Sequence, residues 1–369
     1  MRNPLSKTIT TIQPSGIRKF FDIVHEMKDA ISLGVGEPDF DTPWHIRDEG
    51  IYSLEKGRTF YTSNAGLKEL KIEIDKYLKR RFGVSYDYNN EIMVTVGGSE
   101  AIDIAMRAML DPGDEVLIPQ PSYVSYLPCC VLANGTPVII ELKAENQFRL
   151  TPEELEAAIT PKTKLLVLPF PNNPTGAIME KEDLEKIAEV VKKYDLFVLS
   201  DEIYSELTYT GEAHVSMASF IPERTIVING LSKSHAMTGW RLGFIFAPAA
   251  LTAQLIKSHQ YLVTAAGTMN QYAAIEALTE GRDDAEPMKK EYVKRRDYII
   301  EQMSALGFEI IKPDGAFYIF AKIPAGYNQD SFAFLQDFAR EKAVAFIPGA
   351  AFGQDGEGYV RLSYAASME

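Results

Sequence analysis

Short apolar segments alternate with amphipathic segments between about residues 91 and 248, and this alternation constrains the fold more than any other feature of the chain. The apolar segments end in Gly, Pro, Ser or Asp, as strands do where a turn begins. Near-continuous apolar strands separated by helices predict a mostly parallel sheet covered on both faces. We therefore expect a large α/β domain over residues 45–284, with a mostly parallel seven-stranded sheet flanked by helices. The predicted strands are EIMVTV, DEVLIP, TPVIIEL, TKLLVLPF, LFVLSDEIY, RTIVING and RLGFIFAP.

The pattern changes after the polar stretch TEGRDDAEP. A long charged helix, MKKEYVKRRDYIIEQMSAL, precedes a hairpin-like pair of strands around residues 313–315, a further helix and two short strands. Helices segregated from a few antiparallel strands predict a smaller α+β domain. We assign residues 285–369 to this domain, together with residues 1–44, which lack a core of their own. No amphipathic helix follows the last strand, so we also expect the chain to be truncated at its C-terminus.

Charge and cysteine content narrow the class of function. The chain has 38 Lys and Arg against 51 Asp and Glu, a formal net charge of −13, which argues against a nucleic-acid surface. It has no signal-peptide pattern and no run of about 18 apolar residues. Its two cysteines, Cys129 and Cys130, are adjacent and fit neither a disulfide framework nor a zinc-ligand spacing. We expect a cytoplasmic protein that binds no metal, no membrane and no nucleic acid.

Three turns after predicted strands carry candidate binding residues. Gly97 and Gly98 precede a helix whose free N–H groups suit a phosphate, although any strand-to-helix turn favours Gly and a Ser cap. Asn173 lies in PNNPTG at the carboxyl edge of a strand, where ligands bind in open α/β sheets, although Asn-Pro also suits a plain turn. Asp201 ends an apolar strand near Tyr204. Its buried carboxylate needs either a structural ion pair or the cationic ring nitrogen of a cofactor.

Three cations have the chemistry to complete such a site. Lys233 lies in a polar turn after a strand, and a partly desolvated amine there suits Schiff-base chemistry with a carbonyl cofactor. Arg241, eight positions later, offers a permanent charge to a phosphate. Arg361, in the strand YVRLSY, either forms a structural pair or holds a carboxylate in a bidentate manner. A lysine or arginine in isolation is more often solvated or structurally paired, so position decides between these readings.

Together and in this order, the segments GGSEA, PNNPTG, SDEIY, SK-x(7)-R-x-G and VRLSY resemble the pyridoxal-phosphate-dependent aminotransferases of class I, fold type I. The likeness is strongest to the bacterial aspartate and aromatic aminotransferase branch, and it extends from about residue 35 to Arg361. This resemblance implies the fold-type I architecture. It also implies a ping-pong transfer of an amino group from an L-amino acid, such as aspartate or an aromatic amino acid, to a 2-oxo acid such as 2-oxoglutarate.

The resemblance implies a role for each matching residue around the cofactor. Lys233 forms the imine with the cofactor aldehyde and then moves the proton of the substrate Cα. Asp201 pairs with the pyridine nitrogen and keeps it protonated. Tyr123 stacks on the ring. The residues implied at the other cofactor atoms are Asn173 and Tyr204 at the ring 3-oxygen, and Gly98, Ser99, Glu100, Ser232 and Arg241 around the phosphate.

The resemblance also implies how the substrate and a second subunit meet this site. Arg361 clamps the α-carboxylate of the substrate, assisted by Asn173 and the backbone at Gly36. Tyr61 reaches the phosphate held by the neighbouring subunit, which implies a homodimer with shared active sites.

Two departures from the family pattern affect these expectations. Gly230 stands where many members have a phosphate-binding Ser, so the phosphate must depend more on Arg241. Ser99 stands where some aspartate-preferring members have a Lys, which weakens the case for a dicarboxylic substrate. Pocket-lining candidates for an aromatic or aliphatic side chain are Ile17, Trp44 and Tyr123.

Two other functions use the same segments. A carbon–sulfur β-lyase of the same fold would share Lys233, Asp201 and Arg361, and sequence separates it poorly from an aminotransferase. A non-catalytic effector-binding module, as in some regulators, would need an added basic DNA-binding segment. Only about 35 residues precede the first motif here, and the chain is acidic, which argues against this function.

Overall fold

A computed structural model describes residues 2–14, 16–17 and 31–368 of the chain. The helices are α1 (Lys7–Thr11), α2 (Trp44–Glu55), α3 (Lys68–Phe82), α4 (Gly97–Met109), α5 (Tyr126–Leu132), α6 (Pro152–Ala158), α7 (Lys181–Lys193), α8 (Ala249–Leu262), α9 (Thr268–Thr279), α10 (Ala285–Ala305) and α11 (Ser331–Lys342). The strands are β1 (Ile31–Ser32), β2 (Ile92–Thr95), β3 (Glu115–Gln120), β4 (Thr136–Glu141), β5 (Thr163–Leu168), β6 (Phe197–Asp201), β7 (Thr225–Asn229), β8 (Gly243–Phe246), β9 (Glu309–Ile310), β10 (Tyr318–Lys322), β11 (Val344–Ala345), β12 (Ile347–Pro348) and β13 (Tyr359–Ser363).

A seven-stranded sheet forms the centre of the molecule, in the order β2-β8-β7-β6-β5-β3-β4. Strands β4, β3, β5, β6 and β7 run parallel to one another, whereas β8 is antiparallel to both β7 and β2. Every residue of β2, β7 and β8 is buried, which is why these segments lack the polar alternation of a strand with one solvated face. The α/β fold with a mostly parallel seven-stranded sheet, predicted from the sequence, is confirmed.

The helices that cover the sheet have the caps and the buried faces that their sequences indicate. Helix α6 starts with a capping box, because the Thr151 side chain accepts from the backbone of Glu154 and the Glu154 side chain accepts from Thr151. Helix α7 buries Leu184, Ile187 and Val191 on one face and places lysines in its last turn, next to the negative end of the helix dipole.

A second, four-stranded antiparallel sheet has the order β12-β13-β10-β9. The predicted hairpin is present as the pairing of β9 with β10. Strand β1 pairs in parallel with β11, so residue 31, near the N-terminus, lies beside residue 344. One hydrophobic cluster joins side chains of the large sheet to side chains of the small one, including Leu117, Leu168, Phe320 and Leu362. The division into residues 45–284 and the two flanking segments stays a prediction, and α10 begins at its boundary.

This arrangement directs the carboxyl ends of β3, β5, β6 and β7 toward the same edge of the sheet. In open α/β sheets this edge is where ligands bind. Strand β13 of the small sheet brings Arg361 to the same place. Within the described part of the chain, no helix is both long and apolar enough to cross a membrane.

Candidate active site

A cavity of about 330 Å³ opens at the carboxyl edge of the large sheet. It is lined by residues at or after the ends of five strands of the large sheet, by residues of the N-terminal segment and by two residues of the small sheet. The predicted site residues that line it are Gly36, Gly98, Ser99, Tyr123, Asn173, Asp201, Tyr204, Ser232, Lys233, Arg241 and Arg361. Residues that lie more than 320 positions apart in the sequence therefore meet in one site.

Lys233 projects from the loop after β7 into this cavity. Its Nζ donates to the carbonyl oxygen of Gly36 at 2.6 Å. Burial lowers the pKa of the Lys233 ammonium to about 8, and the nearby guanidinium of Arg361 acts in the same direction. An amine with such a pKa is partly neutral near neutral pH, which nucleophilic attack on a carbonyl carbon requires.

Asp201 is the last residue of β6, and its carboxylate faces the cavity with only 7% of the residue exposed. Its Oδ2 accepts from the Tyr126 hydroxyl at 2.8 Å, and its Oδ1 accepts from the backbone N–H of Ile203 at 3.3 Å. Burial nevertheless raises the pKa of Asp201 to about 6, since a desolvated carboxylate is costly. A cationic group in the cavity would relieve this cost.

Arg361 lies in the middle of the small sheet, opposite Phe320 of β10, and is 3% exposed. Its Nη1 donates to Oδ1 of Asn173 at 3.0 Å, and its Nη2 donates to the carbonyl oxygen of Gly34 at 2.6 Å. Its Nε has no hydrogen-bond partner among the described residues. A buried guanidinium with an unpartnered Nε suits an anionic ligand.

Two tyrosine hydroxyls meet between Lys233 and Arg361. The hydroxyl oxygens of Tyr204 and Tyr318 are 2.8 Å apart, and the Tyr318 hydroxyl also donates to Gly36 O at 3.4 Å. The Arg361 guanidinium lies 4.4 Å from the centroid of the Tyr318 ring, within range of a cation–π interaction.

The turn from β2 into α4 forms a cradle at the cavity. Side chains in place of two glycines would fill this cradle. Gly97 has φ +79°, and a Cβ there would lie 2.6 Å from Nη2 of Arg241. A Cβ at Gly243 would lie 2.6 Å from the backbone N of Gly98. Both glycines therefore let backbone and guanidinium approach closely at the N-terminus of α4, and N–H groups with a guanidinium suit a phosphate.

Glu100 and Tyr61 do not line the cavity. The carboxylate of Glu100 accepts from the backbone N–H of Val96 and lies 2.7 Å from Nδ1 of His259, so only its N–H could face a phosphate. Tyr61 is 88% exposed and lines a separate surface pocket with residues 59–60 and 265–269. Within one chain, Tyr61 is therefore not part of the site.

Two of the three residues predicted for the substrate pocket lie at the cavity. Ile17 and Tyr123 line the cavity, but Trp44 does not. Trp44 is 62% exposed at the start of α2, where the guanidinium of Arg47 lies 5.2 Å from its ring centroid. The structure thus places Trp44 at the surface of the chain, next to this cation, and not in the cavity.

Gly230, where a phosphate-binding Ser is frequent in the family, is packed against the turn after β6 and the residue before β8. A Cβ at this position would lie 3.1 Å from the carbonyl oxygen of Leu242 and 3.1 Å from Cδ1 of Ile203. The backbone is thus too close for a side chain without adjustment. Ser232, next to Lys233, lines the cavity instead.

Sequence reasoning missed two site residues, Tyr126 and Tyr318. Tyr126 lies in the segment VSYLPCC, whose pattern indicates a helix but not which way the tyrosine faces. Tyr318 lies in the apolar run AFYIF. The only sign of a functional role there is a hydroxyl group among residues expected to be buried. Both contacts depend on the order of strands in the two sheets.

The residues present fit pyridoxal phosphate. Asp201 is a buried carboxylate aimed into the cavity, Lys233 is an amine with a lowered pKa, and the glycine cradle lies beside Arg241. Among residues 2–14, 16–17 and 31–368, no group of three or more His, Cys, Asp or Glu side chains is placed to hold a metal ion.

Comparisons with known proteins agree with this chemistry. The family model for aminotransferases of class I and II matches residues 28–369. The chain is 45% identical to an aspartate aminotransferase of Pyrococcus abyssi, covering 99% of this chain and 95% of that protein. It is 44% identical to the aromatic-amino-acid aminotransferase 2 of Thermococcus litoralis, again covering 99% and 95%. The structure of the aspartate aminotransferase from Thermus thermophilus with maleate aligns with a TM-score of 0.94 at 37% identity, covering 100% of this chain and 96% of that one.

Proposed function

Since this chain belongs to the class I and II aminotransferases and is a pyridoxal-phosphate-dependent aminotransferase, we propose that its amino donor is an L-amino acid with an aromatic or aliphatic side chain. The acceptor is a 2-oxo acid, with 2-oxoglutarate as the first candidate. The observation that carries the proposal is that Lys233, Asp201 and Arg361 line one cavity.

The cofactor would be held at three places by this chain. The N-terminus of α4 with Arg241 would take the phosphate, Asp201 the pyridine nitrogen, and Asn173 and Tyr204 the ring 3-oxygen. When bound, pyridoxal phosphate supplies an aldehyde and an electron-withdrawing ring that stabilises negative charge at the substrate Cα. Asp201 would keep the ring nitrogen cationic, since an opposite charge nearby favours the protonated form.

Lys233 would serve first as the amine that binds the cofactor and then as the base that moves the Cα proton of the substrate. A pKa of about 8 suits both tasks, because the amine is neutral in part of the molecules and still accepts a proton readily. Gly36, whose carbonyl accepts from Nζ, holds the amine within the cavity.

Arg361 would bind the substrate α-carboxylate through its guanidinium. Its Nε is free among the described residues, and its remaining N–H groups are oriented by Asn173 and Gly34. This contact fixes the amino group relative to Lys233, which is the positioning that intramolecular reaction rates require.

The walls of the cavity support an uncharged substrate side chain. Ile17, Tyr123 and Tyr318 present apolar surface, and the cationic side chains that line the described cavity are Lys233, Arg241 and Arg361. Each of these already has a proposed anionic partner or a chemical task. A second carboxylate, as in aspartate, would meet no further cation among the described residues that line this cavity.

We also propose a homodimer that shares its active sites, in the cytoplasm. Phe60 and Tyr61, 81% and 88% exposed, form a surface pocket with residues 265–269, and exposed aromatic side chains of this kind favour a protein interface. Cys129 and Cys130 are both free thiols, as is usual in a reducing compartment.

A panel of amino donors tests the proposal. Purified holoenzyme is given phenylalanine, tyrosine, leucine or aspartate together with 2-oxoglutarate, and glutamate formation is measured. We expect kcat/KM for an aromatic or aliphatic donor to exceed that for aspartate. A preference for aspartate would refute the proposed donor class. Pyruvate release from cystathionine without any oxo acid would instead favour the β-lyase that shares these residues.

A further inference from the structure

Tyr126 is a buried tyrosine that contacts two proposed cofactor-binding residues. It is the first residue of α5 and is 2% exposed. We propose that Tyr126 is a positioning residue that fixes the carboxylate of Asp201 and the ring of Tyr123 on two sides of the cofactor site. The inference rests on the proposed assignments of Asp201 to the pyridine nitrogen and of Tyr123 to the ring face.

The first contact is a hydrogen bond to the carboxylate. The Tyr126 hydroxyl donates to Oδ2 of Asp201 at 2.8 Å, across 75 positions of sequence. The other oxygen, Oδ1, accepts only a longer bond from Ile203 N at 3.3 Å. A carboxylate held at both oxygens cannot rotate freely, and a donor to an ionised oxygen is among the stronger hydrogen bonds in proteins.

The second contact is between aromatic rings. The centroids of Tyr123 and Tyr126 are 5.7 Å apart, and their planes meet at 84°. This edge-to-face geometry is a favoured arrangement of aromatic pairs. Because Tyr123 precedes α5 by only a few residues, the packing of Tyr126 in the helix sets the orientation of the Tyr123 ring at the cavity wall.

The charged surroundings of Asp201 explain why a donor is needed there. The titratable groups that act on it are Tyr126, Glu202, Lys233 and Tyr204. Glu202 and burial raise the pKa of Asp201, whereas the Tyr126 hydroxyl and Lys233 lower it. Lys233 becomes uncharged whenever it acts as a nucleophile. Of these four side chains, Tyr126 is then the one that still stabilises the ionised carboxylate of Asp201.

Tyr126→Phe tests the hydroxyl in the full-length holoenzyme. Without the donor, Asp201 is a stronger base and its charge is less dispersed, so the nitrogen joining Lys233 to the cofactor keeps its proton to higher pH. We expect the pH midpoint of the visible cofactor band to rise by about one unit, and the dissociation constant of pyridoxal phosphate to rise roughly tenfold. Tyr126→Leu, which also removes the ring, should weaken cofactor binding further.

Tyr86→Phe is the matched control. Tyr86 is a buried tyrosine, 6% exposed, whose hydroxyl has no hydrogen-bond partner among the described residues. We expect this variant to match the wild type in both the midpoint and the dissociation constant. If Tyr126→Phe also matches the wild type in both, Tyr126 merely fills the core and the inference is wrong.

A double variant separates this inference from the proposal on which it rests. Asp201→Asn alone should weaken cofactor binding strongly, and adding Tyr126→Phe to it should change the dissociation constant little, because the coupled partner is already gone. If Asp201→Asn leaves cofactor binding unchanged, the assignment of Asp201 fails. If only Tyr126→Phe is without effect, the assignment stands and the positioning role of Tyr126 fails.

Discussion

Arg361 Nη1 donates to Oδ1 of Asn173 at 3.0 Å, although the two residues are 188 positions apart. Asn173 follows the carboxyl end of β5 in the large sheet, and Arg361 lies on β13 of the small one. The bond therefore joins the two sheets at the place where we propose that the substrate carboxylate binds. Loss of Arg361 should therefore weaken substrate binding and also remove one contact between the two sheets.

Arg361→Ala should weaken binding of the amino donor by about 2–5 kcal/mol, because the substrate carboxylate would lose its charged partner in a buried site. The measurement is KM for the best donor, alongside the affinity for pyridoxal phosphate, which should change little. Arg340→Ala, an exposed arginine in the last turn of α11, is the control and should behave as wild type. An unchanged KM for every donor with Arg361→Ala would mean that the arginine is structural.

Tyr318→Phe should lower kcat/KM roughly tenfold, because the Tyr204 hydroxyl loses the partner 2.8 Å away that orients it. Tyr292→Phe provides the comparison. Its hydroxyl has no partner among the described residues, and its ring packs against Phe317, next to Tyr318 in the chain. Equal kinetics for both variants would show that the Tyr204–Tyr318 contact does not serve the reaction.

The stability of the apoprotein should depend on pH through Asp201. Its pKa rises from 3.8 in the unfolded chain to about 6 in the folded one, so between these values the folded protein holds a proton that the unfolded chain has released. The contribution is complete below about pH 4, and the free energy of unfolding falls by up to about 3 kcal/mol as pH rises through about 6.

Asp201→Asn removes this titration. As pH rises from about 4 to about 6, the wild type should therefore lose unfolding free energy relative to Asp201→Asn. Urea denaturation of both apoproteins at several pH values measures it. A constant difference over this range would show that Asp201 titrates at an ordinary pKa in the folded protein.

A shared active site predicts complementation between inactive subunits. In a hybrid of Tyr61→Ala and Lys233→Ala subunits, one site has both residues intact. Random mixing gives hybrids as half of the dimers, so about a quarter of wild-type activity should return. Lys233→Ala mixed with Arg361→Ala should recover none, because both residues belong to the same chain's site and no hybrid site is complete. Equal recovery in both mixtures would argue against the role of Tyr61.

The sequence was sufficient for the elements and for most of the cavity, but not for contacts that depend on orientation. Strands such as β6 and β7 are recognisable because they are apolar throughout, and Asp201 and Lys233 are conspicuous where those strands end. Tyr126 and Tyr318 were missed because a tyrosine in an apolar segment carries no sign of which buried group its hydroxyl meets. Trp44 lies at the surface and outside the cavity, and the apolar character of its ring does not distinguish these two positions in the sequence.

We propose that Lys233 binds the cofactor covalently. Holoenzyme reduced with borohydride and digested with a protease should carry a phosphopyridoxyl group on the peptide that contains Lys233, as located by mass spectrometry. Lys233→Ala treated identically should carry none and should lack the visible cofactor band. A phosphopyridoxyl group on a different lysine of the wild type, or none at all, would contradict the account.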